Sequence, residues 1–335
     1  MGDDPDQMVR TGRGLSRLAR RLLPAAMALS MSAGGAMTAV PAQARTQAGS
    51  HSEAIRISMR DVVFFPYDDV AASVAVLSGH VLPDRLPKPV VMDDLASYRI
   101  EVEHAEMRLT AEDMTRLMNR HILPSAHTPI QQVQISFGDN QISMSGTMVK
   151  LGLPVPFTAT AILEPTPDGA MRVHMTSMKA AGLITKGMID ALGLPLSELA
   201  QPRNRAVFHI EGDDMIVPVL SMFPPPRVGG RLTAVHIAPA GMTAVVGGPV
   251  EAASGDDPEK SFIHFRGGTV RFARLTMHDT DLIMLPEDQA TRLGFSPAHY
   301  YAQLEAGFSK SLPGGGLAAH VANFPLPASA PAGSR

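Results

Sequence analysis

Val133-Gln134-Ile135-Ser136-Phe137, then Gly138-Asp139-Asn140-Gln141, then Ile142-Ser143-Met144-Ser145-Gly146-Thr147-Met148: apolar and polar residues alternate on both sides of a Gly-Asp-Asn turn. In an extended strand successive side chains point to opposite faces, so two such runs around a turn cluster predict a β-hairpin. The pattern repeats at once. Val155, Phe157, Ala159, Ala161 and Leu163 lead into Pro165-Thr166-Pro167-Asp168-Gly169 and out through Met171, Val173 and Met175. Four antiparallel strands follow, with one face buried and the other wetted by Gln132, Gln134, Ser143, Ser145, Thr158, Thr160, Arg172 and His174. Leu183, Ile184, Met188, Ile189 and Leu192 then recur at helical spacing and predict a closing helix, stopped by Gly193 and Pro195.

Immediately before this meander the period changes. Met114, Leu117, Met118 and Ile122 fall on one stripe of a helix, Thr110 and Asp113 form a capping box, and Leu109 is placed to pack on Met114 across the first turn. Pro124 is expected to end that helix. Its Met/Leu stripe is predicted to cover the buried face of the meander, since each element has one apolar side to hide.

Outward from this centre the chain reads mostly as strands. Ile55, Ile57 and Met59 alternate, Val62 to Phe65 form a second short run, and Val70 to Leu82 a third before Pro83, Pro87 and Pro89. Tyr98 to Leu109 is another strand. Val207 to Val219 around Gly212-Asp213-Asp214 is a third hairpin, and Pro224-Pro225-Pro226 is a stiff connector. Arg231 to Ile237, Met242 to Val246, and Phe262 to Met284 with a Gly267-Gly268 turn or bulge continue the sheet; Pro297 to Ser309 is the last expected helix. The reading is an α+β domain over 55–324, with a subdivision point near 224–230 and one large antiparallel sheet.

The 335 residues are 45% hydrophobic and 18% charged, enough to bury a sizeable core. A net charge of -3 leaves no basic surplus to neutralise a nucleic-acid backbone, so nucleic acid is set aside as a partner. Cysteine is absent, which removes disulfides, thiolate catalysis, Cys-ligated zinc and an acylated cysteine anchor. The 21 Met residues set the tone of the interior, because a flexible thioether fits either an irregular core or a cavity for a variable apolar ligand.

At the amino terminus, Arg10, Arg13, Arg17, Arg20 and Arg21 precede an uncharged run from Leu22 to Val40 and then Pro41-Ala42-Gln43-Ala44. Basic start, apolar middle and small residues before position 45 predict a secretory signal peptide over 1–44, cut after Ala44. An uncleaved anchor and a basic disordered extension are the alternatives; Pro24, Gly34 and Gly35 weaken the run as a permanent span. Without residues 1–44 the chain keeps 24 basic and 29 acidic residues. Residues 45–54 read as a flexible lead-in, and Pro, Ala, Gly and Ser from Pro325 onward as a disordered tail over 325–335. The expected location is the periplasm or cell envelope.

No catalytic motif emerges. There is no G-x-S-x-G elbow, P-loop or dinucleotide fingerprint, and the 12 His residues lack helix-face metal spacing. His278-Asp279-Thr280-Asp281 is the best metal candidate, but in a strand Asp279 and Asp281 would share a face while His278 points away, and a plain turn explains the cluster. Asp68-Asp69, Asp93-Asp94, Asp213-Asp214 and Asp256-Asp257 likewise read as turns. No cofactor is expected.

The Thr110 helix, the double hairpin and the run Thr176-Ser177-Met178-Lys179-Ala180-Ala181-Gly182 together resemble exported bacterial proteins of the tubular lipid-binding (TULIP) type, especially the LmeA-like group. Ile210-Glu211-Gly212-Asp213-Asp214, Met222-Phe223-Pro224-Pro225-Pro226 and Phe265-Arg266-Gly267-Gly268-Thr269-Val270-Arg271-Phe272 are also similar to an exported bacterial family of uncharacterised function, over most of residues 98–320. The first resemblance implies a curved sheet wrapped around one or two helices, enclosing an apolar groove for acyl chains, and brings no catalytic residue. The expected activity is binding or carrying a lipid or other apolar small molecule, with peripheral membrane contact, in a groove built from Met114, Leu117, Met118, Ile142, Met144, Met148, Phe157, Val173, Met175 and Met188. A structural or assembly protein of the envelope, and a hydrolase using His278 to Asp281, are the rival readings.

Overall fold

Two long strands, Ile55–Tyr67 and Val70–Pro83, form the first hairpin of the protein and the middle of its largest sheet. Ile55, Ile57 and Met59 are buried and then Val62; opposite them Val70, Ala72 and Val74 are buried and then Leu77 and Val81. Both strands therefore change their buried parity at the same level. Asp61, with φ at +48°, makes the switch on the first strand while Arg60↔Val76 and Val62↔Val74 stay in register. The two short runs expected here are thus one strand.

The computed structural model describes residues 54–85, 88–150, 153–180, 184–185, 202, 204, 206–212, 214–248, 261–272 and 274–326. All of them belong to one compact unit, Ser50–Arg335. The expected signal peptide, most of the lead-in, Met188 with most of the closing helix, Asp213, Asp256-Asp257 and nearly all of the expected tail lie outside the described residues.

Strand dominates, and the sheets are mostly antiparallel and open, with one helix of 16 residues. The expectation of one continuous antiparallel sheet is corrected to three sheets among the described residues. The first has 11 strands, in the order Leu232–Ala238, Gly241–Gly247, Tyr98–Leu109, Val70–Pro83, Ile55–Tyr67, Phe262–Arg266, Asp281–Pro286, Leu317–Val321, Phe308–Ser311, with Arg227–Gly229 and Gly294–Phe295 pairing to it as short additions. Three of its pairings are parallel. The second sheet runs His209–Glu211, Asp214–Val217, Met171–Ala180, Leu153–Pro165, Ile142–Lys150, Ile130–Phe137. The third is small: Leu275–His278, Thr269–Phe272 and Val90–Val91. Sequence periodicity sets which residues share a face, but it carries no information about which strands meet far along the chain.

The second sheet is the meander read from the sequence, joined by the 209–217 hairpin. Its pairing Ile142↔Ala161, Met144↔Ala159 and Gly146↔Phe157 puts the apolar residues of neighbouring strands on one face. The turn after Leu153–Pro165 is closed by Thr166, whose Oγ1 accepts from the Ala170 amide at 2.9 Å, while Gly169 adopts φ +88°. A register shift between Thr160 and Ala161 lets Met175 and Met178 both be buried. Ile184–Thr185, expected in the closing helix, is instead a short strand paired with Lys179 and Ala180.

The helix begins as expected, with the Asp113 amide donating to Thr110 Oγ1 at 3.1 Å. It does not stop at Pro124. Ala111–Leu117 passes into a wider π-turn over Met118–Ile122 and then one more α-turn, Leu123–Ala126, ended by His127 in the left-handed region. Pro124 lacks an amide hydrogen and its ring would collide with the carbonyl four residues back; the wide turn absorbs both problems, so the helix continues. The last expected helix shrinks to Tyr300–Glu305, since Phe308–Ser311 pairs as a strand with Leu317–Val321.

Polar side chains of the long helix pin it to both large sheets. Asp113 accepts from the Ala71 amide of the first hairpin at 3.1 Å. Thr115 Oγ1 accepts from the Ile135 amide, and Asn119 both donates to the Val133 carbonyl and accepts from its amide, at 2.6 and 2.8 Å. These bonds occupy the open edge of Ile130–Phe137 next to the kink at Gln132, φ +54°, an edge that would otherwise be free to pair with another chain.

Burial alone would push the Asp113 carboxyl up, but hydrogen bonds from Thr110, Arg116 and the Ala71 amide outweigh it and hold the group below the usual carboxylate range. A depressed native pKa adds stability that is present above the unfolded value of about 3.9 and is lost as pH falls through the folded one. Asp113→Asn should therefore be less stable than the parent in urea at pH 7, with the gap narrowing below about pH 4. Thr110→Ala should cost about 1 kcal/mol, a loss that does not titrate with Asp113 alone. Urea midpoints at pH 7 and pH 3 check both; an Asp113→Asn gap that widens in acid contradicts the assignment.

Candidate functional site

The apolar face of the meander is covered from two sides, by the helix and by the Leu232–Ala238/Gly241–Gly247 hairpin of the first sheet, whose Ile237 and Met242 belong to the meander's core while Val246 belongs to the other. Where these surfaces meet, a cavity of about 130 Å³ remains. Among the described residues, 24 line it and eight of these are Met; Tyr67 is the only one of them whose side chain carries a nitrogen or oxygen. The helix gives Met114, Leu117, Met118 and Ile122. The meander gives Ile135, Ile142, Met144, Leu163, Met171 and Val173, and the first sheet closes the far side with Met107, Leu109, Leu232, Met242, Ala244 and Val246. Phe208, Met215 and Val217 beside the meander, Val219, Leu220, Met222 and Phe223 of the connector, and Tyr67 at the tip of the first hairpin complete the described wall.

Six of the residues expected to form the groove line this cavity: Met114, Leu117, Met118, Ile142, Met144 and Val173. Met148, Phe157 and Met175 lie in the same buried cluster but pack against neighbours away from the cavity wall. Period-two alternation places them on the correct face and cannot say how far along that face the space lies. The far wall, from Met107 to Val246, carries no mark in the sequence that it faces the meander, because that contact is long-range. Met222-Phe223 precedes the triple proline and reads as connector, yet both side chains point to the cavity.

At the cavity edge Tyr67 stacks on His121, centroids 3.6 Å apart at 16°, and donates to the Met222 carbonyl at 3.4 Å. Burial pushes the Tyr67 hydroxyl up. Asp69 binds His121 at 2.9 Å and Arg120 at 2.6 Å. Burial raises its pKa, but those two hydrogen bonds outweigh it and leave Asp69 low and ionised.

The rival chemical candidates are placed elsewhere. His278-Asp279-Thr280-Asp281 forms the turn between two strands, Asp279 adopting φ +50°. Asp281 Oδ1 meets His264 Nε2 at 2.7 Å. Among the described residues no group of three His, Cys, Asp or Glu is placed to hold a metal ion, and no helix is long and apolar enough to cross a membrane. His174 and His209 sit at the wet face, bound to Asp214 and Glu211. Comparison with family models, curated proteins and solved structures gives no significant match.

Met144 and Ser145 are adjacent and point to opposite faces, Met144 into the cavity and Ser145 to solvent. Met144→Asp should lose several kcal/mol or fail to fold, because a carboxylate would face an apolar wall whose one described side-chain donor, the Tyr67 hydroxyl, is already bonded to the Met222 carbonyl. Ser145→Asp should stay within about half a kcal/mol of the parent. Thermal melts of the two variants decide the register, and the opposite ranking would invert the sheet.

Proposed function

We propose that this protein binds or carries a lipid-like apolar molecule in the Met-walled cavity, as an exported component of the cell envelope, in the manner of TULIP-type proteins. The observation that carries this reading is the cavity wall, where the 24 described lining residues include a single polar side chain. Buried water needs two to four polar partners, so such a space is either empty or filled by carbon. Left empty, 130 Å³ would cost roughly 3 kcal/mol at ~24 cal/mol per Å³, a sizeable share of a domain's stability. An apolar ligand removes that cost and adds about 0.8 kcal/mol for each methylene taken from water.

A dry cavity of roughly 150 Å³ accepts one benzene ring, so this volume admits the end of an acyl chain, and deeper uptake requires its walls to move. Eight thioether side chains supply that movement, each with three rotatable bonds and no branching to lock it. The long helix between the meander and the first hairpin supports the likeness to a sheet that curves around a helix. The exported setting rests on the basic and apolar pattern of residues 1–44. A purely structural role is the alternative: it requires that the same Met side chains fill the space permanently.

Met118 separates the two. Its half-buried side chain lies on the cavity from the start of the π-turn. Met118→Trp should leave the melting temperature within a few degrees and reduce uptake of N-phenyl-1-naphthylamine, an uncharged apolar fluorophore, at least about tenfold, since the indole occupies the space. In a filled core the substitution overpacks, lowers stability by about 1–3 kcal/mol and has no uptake to abolish. Fluorescence titration of the delipidated protein beside its melt reads both; no uptake by the parent at micromolar protein contradicts the lipid reading.

A further inference from the structure

Next to the cavity lies a second, larger space, a cleft of about 710 Å³. The two share Tyr67 and Phe223, so these side chains form a partition with the apolar cavity on one side and the cleft on the other. The partition is fastened by the single long hydrogen bond from the Tyr67 hydroxyl to the Met222 carbonyl, 3.4 Å, and braced by the stack of Tyr67 on His121. On the cleft side the walls are apolar where Phe64, Leu95 and Pro224–226 supply them. Among the described lining residues the polar side chains are Tyr67, His121 and four carboxyls, Asp68, Asp69, Asp93 and Asp94, and none of them is Lys or Arg.

Resting on the lipid-binding reading, we propose that the cleft is the head-group compartment of one two-part site: an amphiphile passes its chain between Tyr67 and Phe223 into the Met-walled cavity and leaves in the cleft a head that bears no negative charge. The size ratio supports this division, since the inner space takes a narrow chain end and the outer one is more than five times larger. Chemistry separates the two spaces in the same sense. The inner wall offers nearly nothing to a polar group, whereas the outer wall offers carboxylate acceptors beside apolar proline surface. Asp69 is ionised and oriented by His121 and Arg120, Asp68 meets His299 at 3.0 Å, and Asp93 accepts from the Tyr300 hydroxyl. These acceptors receive hydroxyl or cationic groups and repel a carboxylate or phosphate, and the nearby Arg120 is already paired with Asp69. The triple proline fits the role of a fixed wall: its backbone is stiff, so the cleft keeps its shape while Tyr67 moves.

The test uses the full, delipidated chain and three dodecyl amphiphiles below their micellar concentrations: dodecyltrimethylammonium, monododecanoylglycerol and dodecanoate. Calorimetric titration at pH 8 and low salt should rank the first two on the order of tenfold tighter than dodecanoate, with the gap shrinking as salt is raised. In Asp68→Asn/Asp94→Asn, two exposed positions where the exchange keeps the shape, the gap should close to within about threefold. Tyr67→Phe keeps the ring and removes the fastening hydroxyl, and should speed uptake of N-phenyl-1-naphthylamine in stopped-flow. Equal affinity for the three heads, a preference for dodecanoate, or a gap unmoved by the double variant would overturn the head-group compartment while chain binding still upholds the cavity. An unchanged uptake rate in Tyr67→Phe would overturn the route. Binding of none of the probes would overturn this inference and the lipid reading together.

Discussion

The structure depends on the polar side of the Ala111–Ala126 helix being bonded to two sheets at once. Asp113 holds the Ala71 amide of the first hairpin, and Thr115 and Asn119 occupy the edge of Ile130–Phe137 in the meander. Arg120 and His121 add a further tie to Asp69 at the tip of the first hairpin. A helix fixed by its polar groups has its apolar stripe aimed by geometry rather than by maximal contact. Met114, Leu117 and Met118 therefore face the meander at a set distance, and the space between is not forced to close.

That arrangement explains why methionine dominates the wall. Branched side chains have few rotamers and pack one shape well, whereas a thioether can fold back to fill the space or turn aside to open it. The Met side chains that the helix, the meander, the first sheet and the connector bring to this wall are of the adaptable kind. Tyr67 is the exception in the lining, and its position at the boundary with the acidic cleft fits a polar group placed where the two environments meet.

Much of the local structure was legible because it is periodic. Ile142, Met144, Ala159, Ala161, Val173 and Met175 share a face by parity alone, and the Thr110 cap is a four-residue pattern. What escaped depends on contacts far apart in sequence. The alternation of Leu232 to Val246 gives a hairpin but not its seat astride two cores, and nothing near Met107 or Met222 marks them as neighbours of Met144. Pro124 misled because the rule that proline ends a helix assumes an unbroken α-pattern, which the π-turn at Met118–Ile122 abandons. Ile184 misled because one apolar spacing serves helix and strand in a short segment, and pairing with Ala180 decided it.

The proposed ligand is carbon that does not belong to the chain, held in the cavity between helix, meander and first sheet. Its most direct measurement is native mass spectrometry of the protein purified gently from its own host, followed by organic extraction and mass analysis of what is released. The expected result is a chain mass carrying an apolar adduct near one per chain, removed by the solvent and restored by adding back the extract. A bare chain mass, with nothing apolar released and nothing rebound, would contradict it.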